Sequence, residues 1–376
     1  MHIFRNRGAK FAQLTSGLLM LGTAAQAADG SAFLTALHHH PTLTSTVPDN
    51  GDQNPYAVVI APVSTGNVTK GDVLIDNFNN SGNLQGTGTT IVDYNPATQK
   101  LSLFAALPHD LAGCPGGIGL TAAMTMLKTG WVIVGSAPST DGTTATLGAG
   151  CLVVLEPTGK VAAVWSGPDI RDPWGNMAVI DRGSTATLFV SNAGFGVGAP
   201  VDNQPAINKA TVLRLDLTIP DGKPPVIANQ TVVANGLGEQ PDKSVFLIGP
   251  TGLALGADGT LYASDATANR IIAIPDAATR GNSAGTGRKV TKGGFLQHPL
   301  ALILTPGNHL VATNALNGQA VEIDPATGKQ LCAQWFDADK AQVPAGSGDL
   351  FGIAIAPSGD KAYYVEDDVN TLVVAQ

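Results

Sequence analysis

The chain has 376 residues, of which 44% are hydrophobic, 13% charged and 5% aromatic, with 45 Gly and 24 Pro. Such a composition excludes an intrinsically disordered chain, which needs high charge and few apolar residues, and it favours short strands joined by Gly/Pro turns over long amphipathic helices. Setting aside the first 27 residues, which hold three bases and no acid, the formal net charge is −8 − 3 = −11; so acidic a protein is repelled by phosphate backbones, and nucleic acid is not an expected partner.

Residues 1–27 read as a signal peptide. Arg5, Arg7 and Lys10 precede an apolar run over residues 14–25, and Ala25-Gln26-Ala27 is a small-x-small cleavage site. The run is too short to span a bilayer, and no later stretch is long and apolar enough, so no membrane span is expected. The expected location is the periplasm or the exterior. Cys114, Cys151 and Cys332 are the only cysteines. In an oxidising compartment Cys114 and Cys151 are the favoured pair, since both fall in one repeat unit; three buried thiols are the alternative.

From residue 55 onward one pattern recurs: an apolar strand, a Gly or Asn turn, a second strand ending in a polar residue, and a third strand. The first copy takes strands at 55–61, 72–77 and 90–94, the second at 117–124, 131–136 and 151–155, the third at 174–180, 187–192 and 212–216. The fourth, over 249–274, is the clearest; the fifth covers 298–324 and the sixth 350–375. Near-identical turns, Asn95-Pro-Ala-Thr-Gln-Lys100, Glu156-Pro-Thr-Gly-Lys160 and Asp324-Pro-Ala-Thr-Gly-Lys329, follow the third strands. In each, Pro presets φ for a tight turn. Weaker fourth strands follow at 101–107, 161–165, 226–233, 288–291 and 331–336.

Six copies over residues 28–376 leave about 58 residues each, the size of a four-stranded blade with its loops. The expected fold is therefore all-β, a single six-bladed β-propeller domain. The sixth copy ends without a fourth strand, and an open blade edge is a liability. The segment at 41–47 is expected to close it. His38, His39 and His40 just before it read as a surface feature or a weak adventitious metal site, and His309, in a hairpin on the far face, as solvent-exposed.

The fourth copy carries Pro-Thr-Gly-Leu-Ala at 250–254, Asp-Gly-Thr-Leu-Tyr at 258–262, Ser264-Asp265 and Asn269-Arg270-Ile271. These residues resemble the NHL-repeat group of six-bladed propellers, whose relatives include gluconolactonase-like and streptogramin lyase-like enzymes and many binding proteins. The resemblance is close in this copy and looser elsewhere. It implies the fold and does not choose among activities.

In such a ring the starts of the innermost strands and the ends of the second strands converge on one channel mouth. The candidate ligand-binding residues there are Tyr56, Asn77, His109, Trp174, Asn192, Asn314 and Phe351. Asn77, Asn192, Asp265, Asn314 and Glu366 offer oxygens of the kind a hard cation such as Ca²⁺ takes. The resemblance implies that such a cation polarises an ester carbonyl and activates water, as in the lactonase-like propellers. The same Asn and Asp residues also suit backbone capping in turns. The catalytic candidates are Asp265, Glu366 and His298, the last able with His109 to form an imidazole pair. Two functions follow: a monomeric propeller that binds a small molecule or protein on its channel face, or a metal-dependent hydrolase or lactonase.

Overall fold

A computed structural model describes residues 32–201 and 204–376. The expected signal peptide lies outside the described residues. Residues Ala32–Gln376 form one compact unit. It is a six-bladed β-propeller, and each blade has a strand against the central axis and three more behind it.

Blade 1 runs outward through Gln53–Ile60, Val73–Asn79, Thr90–Asn95 and Lys100–Ala106. Blade 2 uses Leu120–Met126, Val132–Ser136, Cys151–Leu155 and Val161–Trp165. Blade 4 uses Pro250–Leu255, Leu261–Asp265, Arg270–Ile274 and Arg288–Lys292, and blade 5 Pro299–Leu304, Leu310–Asn314, Gln319–Ile323 and Gln330–Trp335. The second and third strands are buried on both faces, as in blade 2, whereas outer strands such as Val161–Trp165 keep partial exposure. Continuous apolar runs in the middle strands follow from that two-sided burial.

Blade 3 departs from the pattern. Its short inner strand Ala178–Asp181 is followed by Thr185–Ala193 and then by two long strands, Ile207–Thr218 and Val226–Pro241. A two-residue strand, Asp172–Pro173, pairs with the end of the second strand.

Blade 6 is closed by the chain's N-terminal part. Thr42–Ser45 pairs antiparallel with Thr371–Ala375 outside Leu350–Ile355 and Ala362–Glu366, with Thr42 opposite Val373. Just upstream, the 3₁₀ turn Phe33–Ala36 and the residue that ends it bury Leu34 and Leu37 against Phe336 and Tyr364. The backbone N–H groups of Phe33 and Leu34 donate to the two carboxylate oxygens of Glu322, each at 2.8 Å. Two histidines differ from expectation because this clasp covers them. His309 Nδ1 lies 2.7 Å from Glu322 Oε1, with only 21% of its side chain exposed. His40 is half-buried, its Nδ1 3.1 Å from the Tyr364 hydroxyl and its ring edge-on to Phe336; His38 and His39 are exposed.

Side chains on the second strands tie successive blades together. Ser191 Oγ accepts from Gly175 N and donates to Thr251 O of blade 4 at 2.7 Å. Ser264 Oγ accepts from Gly252 N and donates to Leu300 O of blade 5. Thr313 Oγ1 accepts from Ala301 N and donates to Phe351 O of blade 6. Each hydroxyl uses its donor and an acceptor at once, which is how a buried hydroxyl avoids a desolvation cost. The inner strands approach so closely that a Cβ on Gly252 would stand 2.1 Å from Leu302 N.

Cys114 and Cys151 form a disulfide, linking the loop that enters blade 2 to that blade's third strand. Cys332 is free and half-buried. No described helix is long and apolar enough to cross a membrane.

Candidate functional site

The inner strand of blade 1 shows how the axis is layered. Gln53 and Asn54 line a polar cavity at the mouth, Tyr56 lies in an aromatic plug, and Val58 to Ile60 line an apolar well at the other end. The well holds about 380 Å³ and is lined by inner-strand residues of all six blades.

The plug is built from Tyr56, Phe78, Trp174, Phe246 and Phe351, none more than 3% exposed. Tyr56 stacks between Phe351 and Phe78, with centroids 3.8 and 4.5 Å away. Trp174 meets Phe78 edge-on and stacks on Phe246. Phe246 adopts φ +64°, a strained conformation for a bulky side chain. The turn behind it imposes that angle: Asp242 N donates to Phe246 O, and Asp242 Oδ1 accepts from Ser244 N and Val245 N. Tyr56, Trp174 and Phe351 thus fill the channel and do not line an open funnel. Aromatic rings at three strand starts are a sequence signal for convergence, but packing decides whether they wall a cavity or close it.

Above the plug the cavity holds about 430 Å³ and is lined by Asn54, Asn79, Lys243, Asp349, Asp367 and Asp368, among others. Its wall is rich in acceptors without donors. Asn54 Oδ1, Asn79 Oδ1 and Asp349 Oδ2 are buried without a hydrogen-bond partner, although these residues are only 8%, 2% and 4% exposed. Beneath them the Tyr56 hydroxyl is also unpartnered. Burial, then the charges of Asp367, Asp242 and Asp76, push its pKa far up. Desolvation, then the charge of Asp368 and contact with Asp337, push the Asp349 carboxyl up to about 8. Asp367 is raised well above the carboxylate range by desolvation, then by Asp349 and Asp368. Asp337, Asp349 and Asp368 each present an oxygen, all within 4.8 Å of one another. Among the described residues this is the one group of three or more His, Cys, Asp or Glu side chains so disposed.

The five residues expected to ring a cation are employed separately. Asp265 Oδ2 is bound by Arg270 Nε at 2.7 Å. Asn314 Oδ1 accepts from Gln297 N, and its amide donates to Phe295 O and Asn317 Oδ1. The Asn77 amide donates to Thr46 O and Thr90 Oγ1. Glu366 accepts from the Tyr364 and Thr371 hydroxyls, and its carboxyl is pushed up to about 7 by burial, then by Asp337. Asn192 is wholly buried.

His298 adopts φ +52°, with its N–H donated to Asn269 Oδ1. Its Nδ1 is buried and unpartnered, and burial lowers its pKa against the opposing charge of Asp242. His109 is exposed and lines a separate cavity of about 600 Å³ beside Cys114. Asp349, Asn54 and Asn79 are the residues that sequence reasoning missed. The Glu366-Asp367-Asp368 run and the Asp before the inner strand at Leu350 were the available signals.

No protein-family model matches the sequence, and no curated protein matches it. Solved structures do. A gluconolactonase from Xanthomonas campestris superposes with a TM-score of 0.53 at 13% identity, covering 91% of each chain. A calcium-binding regucalcin from Agrobacterium tumefaciens gives 0.50 at 12%, covering 89% of this chain and 94% of its own. A PQQ-bound aldose sugar dehydrogenase from Streptomyces coelicolor gives 0.51 at 15%, covering 90% and 98%. The chain has the six-bladed fold of the gluconolactonase-like propellers. At these identities the likeness is one of fold.

Proposed function

We propose that this protein is a ligand-binding propeller that works from the polar cavity at its channel mouth. Its ligand is small and brings positive charge or several hydrogen-bond donors. The observation that supports this is the cavity wall itself: three buried acceptor oxygens without donors, on Asn54, Asn79 and Asp349, beside the carboxyls of Asp367 and Asp368. Buried acceptors left unmade are costly, and a donor-rich or cationic ligand would satisfy them. Calorimetric titration with Ca²⁺ and, separately, with spermidine tests the reading. Binding of either probe should weaken at least about tenfold in Asp349→Asn. Absence of binding by both, or affinities unchanged in that variant, would overturn it.

A second reading is a metal-dependent hydrolase. The close set of Asp337, Asp349 and Asp368 supports it, because a divalent ion held there would supply Lewis-acid activation. Its test is hydrolysis of δ-gluconolactone by the chelator-treated protein with and without added Ca²⁺. The leader-like residues 1–27 and the disulfide further support export to an oxidising compartment. Terminal sequencing of the mature protein should then begin at Ala28.

A further inference from the structure

Blade 3 holds a second concentration of unsatisfied polar atoms, on residues that do not line the channel-mouth cavity. Asp172, Asn192 and Glu239 are all fully buried. Both oxygens of Asp172, both amide atoms of Asn192 and Glu239 Oε1 have no hydrogen-bond partner. Thr211 Oγ1, on the residue paired with Asn192 in the next strand, is unpartnered as well.

The backbone brings these groups together. Asp172 pairs with Ala193 and Pro173 with Asn192, and Asp172 Oδ2 reaches along the strand to Gly194, two residues beyond Asn192. Glu239 Oε2 accepts from Phe195 N at 3.1 Å. A Cβ on Gly194 would stand 2.2 Å from Asp172 Oδ2, so only glycine leaves room for that carboxylate. The chain leaving the second strand therefore passes between two buried acids: Asp172 feels the charge of Glu239, both feel that of Arg171, and the backbone N–H groups of Gly150 and Gly194 lie toward Asp172 and Glu239 respectively. Arg171 Nε stands 3.4 Å from Asp172 Oδ2, and Lys209 acts on Glu239. Neither supplies a hydrogen bond to the orphaned oxygens.

We infer that Asp172, Asn192 and Glu239 bind one hard divalent cation, Ca²⁺ by the chemistry of their oxygens, which fastens the loop after Ala193 to the body of blade 3. Two carboxylates, an amide oxygen and a hydroxyl match the donor set that Ca²⁺ takes from proteins. Buried water would satisfy the hydrogen bonds but would leave two acids facing each other. The alternative occupant is a proton with water, and it gives opposite results below.

The test uses the chelator-treated protein with Tb³⁺ and Ca²⁺ as probes. Trp174, buried two residues beyond Asp172, is placed to sensitise Tb³⁺ emission. Emission should appear on addition of Tb³⁺ and be displaced by Ca²⁺, and Ca²⁺ should raise the melting temperature by at least about 2 °C, as binding to the native state alone does. Asp172→Asn should weaken binding at least about tenfold, whereas Asp349→Asn, at the channel mouth, should leave this site intact. If Asp172→Asn fails to fold, Asn192→Asp decides the matter. A third carboxylate should tighten Ca²⁺ binding if a cation sits there; unchanged or weaker binding overturns the inference. So does wild-type protein that shows neither sensitised emission nor a thermal shift, or that loses both only in Asp349→Asn.

Discussion

Asp76 shows what one residue can change at a repeated position. Blades 3, 4 and 5 place Ser191, Ser264 and Thr313 there, and each hydroxyl both accepts and donates. Asp76 accepts from Ala57 N at 2.8 Å, but its second oxygen is buried without a partner. Desolvation pushes its pKa up to about 8. An acid raised in the folded state binds its proton more tightly there than in the unfolded chain. Its contribution to stability is present below the unfolded value near 4 and is lost as pH rises through about 8. Asp76→Ser restores the side chain used by the neighbouring blades and removes this titration. Denaturant unfolding of the variant should show a gain over wild type at pH 8 that shrinks toward pH 5. A gain of equal size at both pH values would mean that the carboxyl does not titrate in this range. Glu322 makes a different point. It is fully buried and takes three contacts, from Phe33, Leu34 and His309. Hydrogen bonds to a charged group contribute about 1.5–3 kcal/mol each, so Glu322→Ala should cost about 3 kcal/mol or more. Urea unfolding measures it, and a cost below about 1 kcal/mol would show that the clasp adds little.

At the level of strands and turns, most of the architecture was legible. The hairpins announced themselves through Pro-polar-Lys turns, and the missing outer strand of the last copy pointed to the N-terminal segment that supplies it. Blade 3 was only half legible: its third and outer strands run long, and Glu239 on the outer one accepts from Phe195 N in the loop that follows the second strand, a contact of high sequence separation with no local signature. The closing segment likewise hid its 3₁₀ turn, since Leu34 and Leu37 signal burial but not the Glu322 that receives them. The glycines are more instructive. Gly252 in the fourth copy resembled a repeat marker, and its physical role is the close approach of blade 5's inner strand. A methyl there must displace backbone, and overpacking of this kind costs about 1–3 kcal/mol. Gly252→Ala should lower the unfolding midpoint accordingly, whereas Gly259→Ala, with open space around it but φ +82°, reports only conformational strain. A midpoint unchanged in Gly252→Ala would show that the blades can part without cost.

For the molecule as a whole, the meeting of strand starts at the axis was legible in the sequence, and the residues lining the cavity above it only in part. Strand starts and second-strand ends do converge, which made Tyr56, Trp174 and Phe351 findable. Which polar residue at a strand end turns inward depends on the twist of one or two residues: Glu366 turns to Tyr364 and Thr371, while the adjacent Asp367 lines the cavity. The acids so gathered give the protein a pH response of its own. Desolvation holds Asp76 and Asp349 near 8, and Asp93, Glu239 and Glu366 near 7, all above their unfolded values. Each favours the folded state at low pH and ceases to do so as pH climbs from about 4 through 7–8. The chelator-treated protein should therefore melt at a higher temperature near pH 5 than near pH 8. A cation bound by Asp172 and Glu239, or by the carboxyls around Asp349, replaces those protons and reverses the logic at its own site, since metal ligands must be deprotonated. Added Ca²⁺ should then raise the melting temperature more at pH 8 than at pH 5. A Ca²⁺ effect independent of pH, or larger at pH 5, would show that the ion does not compete with these protons.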